Sequence, residues 1–212
     1  MPRCLTRLQS ESGKPGSAAA EQNAAPILEI LRNEFQGCSD VLEIGSGTGQ
    51  HAVRFASELA HLRWQTSDLD ENHAGILAWL ADAGLTNVLA PITLDVTHAN
   101  ISAKYDAVFS ANTAHIMSFD AVIKMLALVG AVLREGGVFC LYGPFRRCGA
   151  FNTPSNARFD ASLRSRHAAM GIRDLEDLDQ ALAEQGLRRS RLYAVPANNL
   201  VVVWKKTQQR VS

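Results

Sequence analysis

The sequence predicts an α/β domain built on a seven-stranded, mostly parallel sheet that ends in an antiparallel hairpin. Two observations carry that reading. Between residues 18 and 143, short apolar β-type runs take turns with longer amphipathic ones, the pattern of right-handed βαβ units around a sheet covered on both faces. Beyond residue 186, two apolar runs follow each other with only residues 196–199 between them, too short for a crossover and therefore a hairpin.

Taken in order, residues 18–35 carry Ile27, Leu28, Leu31 and Phe35 at helical spacing, with Pro26 tolerable in a first turn. "DVLEIG" (40–45) reads as the first strand, followed by a helix from about Gln50. "LRWQTSD" (62–68) is the second strand, with a helix in 72–83, and "VLAPITLDV" (88–96) the third. "YDAVFSAN" (105–112) is the fourth. Val122, Leu126, Val129 and Leu133 line one face of the helix that leads to the fifth, "GVFCLYG" (137–143). A helix in 174–185 precedes the hairpin strands "LRRSRLYAV" and "LVVVWKK". Residues 1–16 lack the apolar centre of a signal peptide and read as a mobile leader ahead of a single domain, 17–212.

Composition narrows the partners. Lys plus Arg and Asp plus Glu number 21 each, and a balanced chain lacks the clustered positive charge that nucleic acids and anionic membranes require. "RRSR" (188–191) and "LRSRH" (163–167) read as solvated faces, with no aromatic stacking series beside them. No apolar run approaches the roughly 18 residues of a membrane span. Cys4, Cys38, Cys140 and Cys148 form no CxxC pair, so neither a metal site nor a disulfide framework is indicated, and a cytoplasmic setting fits best.

The informative motif lies behind the first strand. "LEIGSGTGQHA" (42–52) spaces Gly45, Gly47 and Gly49 so that Gln50 stands where a dinucleotide fingerprint needs its third glycine. The Glu43-x-Gly45-x-Gly47-x-Gly49 pattern looks instead like the first motif of S-adenosylmethionine (SAM) methyltransferases. There the turn of Gly45, Ser46 and Gly47 lets an amino-acid tail and ribose lie along bare backbone. Asp68 ends the second strand, where an acid accepts both ribose hydroxyls, and Asp95 ends the third, where one accepts from the adenine amino group; Leu69 and Val96 follow them. The plainer alternative is that both acids cap helices or form turns. The expected cofactor is thus SAM, with S-adenosylhomocysteine as product, and no metal.

With these residues in hand, the chain from about Ala18 to Lys205 resembles the domain of unknown function 938 family, which takes in the animal methyltransferase-like protein 26. The likeness rests on "AEQN" (20–23), "SGTGQHA" (46–52), "SD" (67–68), "LDVT" (94–97), "YGPF" (142–145), "SNARFD" (155–160), "GIRDL" (171–175) and "PANNL" (196–200). It implies a Rossmann-like class I methyltransferase fold. The family commonly carries Ala where Gly45 stands and Met where Thr113 stands.

Methyl transfer from a sulfonium is mostly a matter of alignment, with a general base needed only for an acceptor that must lose a proton. Asn112 and His115 follow the fourth strand at the edge of the expected site. His115 is the candidate base, or else a histidine that packs or caps the next helix. Gln50 suits cofactor contact better than His51 does. Glu43 accepts from backbone amides, from the SAM ammonium, or is a buried structural carboxylate. The helix bearing Asn23 is expected to fold over the cofactor. Tyr142, Arg146, Asn198 and Asn199 are expected around a small polar acceptor, with ordinary turn-forming as the alternative for the asparagines. The leading function is a SAM-dependent methyltransferase acting as monomer or homodimer; the rival is a SAM-binding sensor or partner subunit without turnover.

Overall fold

The computed structural model describes residues 14–207 in full and residues 8–9 as backbone. Seven strands form the main sheet: β1 (Asp40–Ile44), β2 (Arg63–Asp68), β3 (Val88–Thr93), β4 (Tyr105–Ala111), β5 (Leu133–Gly143), β6 (Leu187–Val195) and β7 (Asn199–Lys206). Their order is β6-β7-β5-β4-β1-β2-β3, with β7 alone running against its neighbours. After β3 the chain returns to the other side of β1, so the topological switch point falls between β1 and β4, where an open α/β sheet leaves its ligand crevice.

Alternation along the strands sorts side chains to two cores. Val41, Trp64, Phe109 and Cys140 face α1 (Ala18–Glu34) and α2 (Gln50–Glu58). Leu42, Val108, Phe139 and Leu141 face α4 (Phe119–Val132) and α6 (Leu175–Glu184). The remaining helices are α3 (His73–Ala83) and α5 (Pro154–Arg166). Because β7 reverses direction, the turn at 196–198 emerges at the carboxyl ends of the parallel strands. Ala197 and Asn198 take left-handed φ there, 61° and 59°.

Several features differ from the sequence reading, among them the start of β5 at Leu133 in place of 137. Helix α5 was not foreseen. Its inward residues, Asn156, Asp160 and Leu163, are mostly polar and leave little hydrophobic period to count. Strand β3 stops at Thr93, and 94–104 cross to β4 without a helix. The expected leader falls largely outside the described residues, but its end is not loose. Pro15–Gly16 pairs with Leu8–Gln9, Trp79 Nε1 donates to Pro15 O at 2.8 Å, and Lys14 pairs with Asp82 on α3. Pro15 sits where a Cβ on Gly75 would stand, 2.9 Å from Cγ.

Candidate functional site

The turn between β1 and α2 is pinned at its base and open at its crest. Gly45 and Ser46 both donate backbone N–H to Ser67 O, at 3.0 and 2.9 Å. Gly49 caps α2 at φ 88° with Ile76 Cα 3.1 Å from where a Cβ would lie, so α3 packs on bare backbone. At Gly45, φ 75°, a Cβ would meet Thr113 Cγ2 at 2.6 Å. The threonine methyl therefore takes the space that a side chain at 45 would need. At Gly47 the Cβ direction is open, and its N–H donates to Asp68 Oδ2 at 2.6 Å.

Asp68 holds its other oxygen on Leu69 N and Asn72 Nδ2, both at 2.8 Å. A carboxylate lying on the turn's amide repels a phosphate placed there, whereas neighbouring hydroxyls can donate to it. Leu69, exposed beside it, adds an apolar surface. The turn and its acid thus suit a hydroxyl-bearing ligand whose linkage carries no negative charge better than a pyrophosphate.

Other residues expected at the cofactor make contacts within the protein. Glu43 is 1% exposed and accepts from Ser46 Oγ at 2.9 Å and Trp64 Nε1 at 3.1 Å. Burial pushes its carboxyl up to about 7, against the pull of those two hydrogen bonds. Ser46 Oγ donates to Glu43 and accepts from Ser67 N, so both side chains lie behind the turn and not on its ligand side. Gln50 Oε1 accepts from Ser17 N at 2.6 Å and Thr48 Oγ1 at 2.9 Å, fastening the start of α1 to the turn. Asp95 does what the plainer reading said: it closes a turn on Thr97 N and Oγ1, at 2.8 and 2.7 Å, and those bonds hold its carboxyl below the ordinary range. Val96 is buried in the α4 core and offers the crevice only backbone.

The second half of the site runs along the end of β5. Tyr142, buried, receives Asn199 Nδ2 on its hydroxyl at 2.8 Å and is also bonded by the Asn23 amide. Asn23 in turn pairs with His51 Nε2 at 2.6 Å. His51 stacks on Phe55 and is pushed down to about 4 by burial, so it is a neutral structural ring. Asn112, at φ 59°, donates its N–H to Tyr142 O and turns the chain toward His115. His115 is 7% exposed, meets Phe159 edge-on at 5.4 Å, and brings Nδ1 within 3.7 Å of where a Cβ on Gly143 would stand. Among the described residues no group hydrogen-bonds its ring.

Two expected acceptor residues do other work. Asn198 builds the 196–198 turn, with Nδ2 on Ser155 Oγ and its carbonyl accepting from Asn156 Nδ2. Arg146 lies in a small three-stranded sheet, Phe145–Arg147 with Ala150–Phe151 and Arg173–Asp174, where it stacks over Phe151 and faces Asp174 at 4.0 Å. Its Nε is buried without a hydrogen-bond partner among the described residues. The sequence reading missed Asn156, Phe159, Asp160 and Arg173, which crowd the same edge from α5 and that sheet. The Thr153–Pro154 start, an N-cap followed by proline, was the available signal.

Solved structures align over most of the chain at low identity, which shows the fold. An O-methyltransferase family protein from Burkholderia thailandensis superposes with TM-score 0.79 at 11% identity, covering 91% of this chain and 58% of that one. The SAM-dependent methyltransferase SibL in its apo form gives 0.73 at 20%, covering 90% and 57%. PigF with S-adenosylhomocysteine gives 0.73 at 15%, covering 90% and 64%. The chain thus spans under two thirds of each of these proteins. Its fold is the Rossmann-like one of class I SAM-dependent methyltransferases. The family model described as Protein of unknown function (DUF938) matches residues 14–206, and the chain belongs to that family.

Proposed function

We propose that this protein is a SAM-dependent methyltransferase acting on a small polar acceptor. The observation that carries the reading is the join of two half-sites at the carboxyl ends of adjacent strands. An open glycine turn with Asp68 on its amide stands on one side, and His115 with the Tyr142–Asn199 pair on the other. Gly45, Gly47, Asp68 and Leu69 would hold the cofactor, which when bound supplies a methyl group on a sulfonium. Asn23 and Gln50 close the α1 side through His51, Tyr142 and Ser17.

The acceptor's proton falls to His115. Burial first, then the charges of Arg173 and Arg166, hold its imidazole down at about 4, so at neutral pH it is uncharged but a weak base, suited to taking a proton that becomes strongly acidic only as the acceptor atom is methylated. Its ring, unengaged by the described residues, supports a role toward a ligand over one in packing alone. Phe159 beside the ring and Asn199 on the Tyr142 hydroxyl supply an aromatic face and an amide to orient a small polar molecule.

The test is transfer itself. Wild-type protein with isotopically labelled SAM and fractions of a small-molecule extract should yield one labelled product class, and His115→Gln should lower its rate by about 10²-fold or more, the range for loss of a general base. SAM binding with no labelled product in any fraction would favour the sensor reading. Undiminished transfer by His115→Gln would remove the base from the mechanism.

A further inference from the structure

The strings "SNARFD" and "GIRDL" lie outside the cofactor crevice, yet the fold brings them together against the His115 loop. Arg173, 7% exposed, donates Nε to Ala114 O at 2.9 Å, Nη2 to Ala169 O at 2.9 Å and Nη2 to Met117 O, and its guanidinium lies 5.8 Å from the Phe119 ring. Gly171 N–H donates to His115 O at 2.9 Å. Asp160, on α5, takes Ile172 N on Oδ1 at 2.7 Å and Arg164 Nε on Oδ2 at 2.8 Å. A side chain at Gly171 would collide with both Asp160 and Arg164. The loop carrying His115 is therefore gripped on three carbonyls, at 114, 115 and 117, from one short segment that α5 anchors.

The energetics of this grip are unusual for a purely structural element. Among the described residues no carboxylate lies within ion-pair distance of Arg173. Its direct partners are carbonyl dipoles and the Phe119 ring, with the Asp160 carboxylate acting on it from beyond ion-pair distance, and holding a largely buried cation on those terms costs more than an apolar side chain of the same length would. The guanidinium acts on a buried imidazole that has no hydrogen-bond partner among the described residues. A fixed cation next to such a ring penalises its protonated form.

We propose that Arg173 is the positioning residue of the acceptor side: with Asp160 anchoring its segment, it holds the 114–117 loop so that the His115 ring is presented at the end of β5. The proposal rests on the reading of His115 as the acceptor-facing base, but it is tested without turnover. The direction of the His115 shift agrees with it. Burial is the largest cause and Arg173 the next, with Arg166, from the end of α5, contributing in the same sense. Asp160 hydrogen-bonds Arg164 and the backbone and offsets part of the Arg173 charge from a distance, yet the net effect on His115 is still downward.

The experiment is an NMR titration of the histidine rings, with His115→Gln used to assign the signal, combined with amide hydrogen exchange. Wild-type His115 should stay neutral until about pH 4. Arg173→Met should move its midpoint up toward the ordinary 6.5 and speed exchange at Gly171 about tenfold, the scale of one lost net hydrogen bond. Arg173→Lys, which keeps the charge but not the fork, should leave the titration low and speed the exchange. Should Arg173→Met fail to fold, the lysine variant decides through exchange. A folded Arg173→Met with wild-type titration, or an Arg173→Lys with wild-type exchange, overturns the proposal. Unimpaired methyl transfer by His115→Gln would remove the base reading while leaving the titration result to stand for itself.

Discussion

Glu43 is a carboxyl group with little water to ionise into, and its position shows what a residue type alone can and cannot say. An acid at the end of the first strand was legible in the pattern, but its direction was not. Whether it faces the ligand or lies behind the turn depends on Trp64 and Ser46, which β2 and the turn bring to it. Its folded pKa is raised from 4.5 to about 7, so the stability this group contributes is fully present below pH 4.5 and is lost as pH rises through 7. Glu43→Gln keeps an acceptor for Trp64 and a partner for Ser46. Its stability relative to wild type should therefore improve between pH 5 and pH 8, by on the order of 3 kcal/mol at 1.36 kcal/mol per unit. Thermal melts of the two proteins across that range check this, and parallel curves would mean that Glu43 ionises in place. The place of Asp68 beside the glycine turn was legible from its position at the end of β2, but the amides and the Asn72 side chain that hold its two oxygens were not.

At the scale of elements, the helices that present an apolar stripe were legible and α5 was not. Its inward face spends its polarity on Asn198 O, Ile172 N and Arg164, contacts made across more than ten residues of sequence in two cases and invisible to periodicity. The start of α1 gives a second lesson. Asn23 was expected at the cofactor for want of a core role, yet it is bonded to His51 and Tyr142 and joins the two half-sites. Stepwise truncation separates these contributions. Removal of residues 1–13 should leave SAM affinity unchanged, since Pro15 stays on Trp79 and Ser17 on Gln50. Removal through Ser17 should weaken it several-fold, because the cap of α1 and its tie to Gln50 go together, at about 1 kcal/mol for the cap. Removal through Asn23 should weaken it further. Calorimetry on the three proteins reads the order; equal affinities would mean that α1 has no part in holding the cofactor.

For the whole molecule, the alternation of strand and helix and the four-residue break in the tail sufficed to predict the sheet, because both express chain connectivity more than side-chain detail. What they could not show is how the carboxyl ends of β1, β2, β4 and β5 are furnished, since His115, Tyr142, Asn199 and α5 meet there only through tertiary contacts. The central claim is that this crevice takes SAM. Titration calorimetry with SAM, S-adenosylhomocysteine and NAD, on wild type and Asp68→Ala, tests it most directly. Binding of the first two but not NAD is expected, with Asp68→Ala weakening it by about 1.5–3 kcal/mol, the scale for hydrogen bonds to a charged group. Binding of NAD, or of neither adenosyl compound by the folded wild-type protein, would contradict the account.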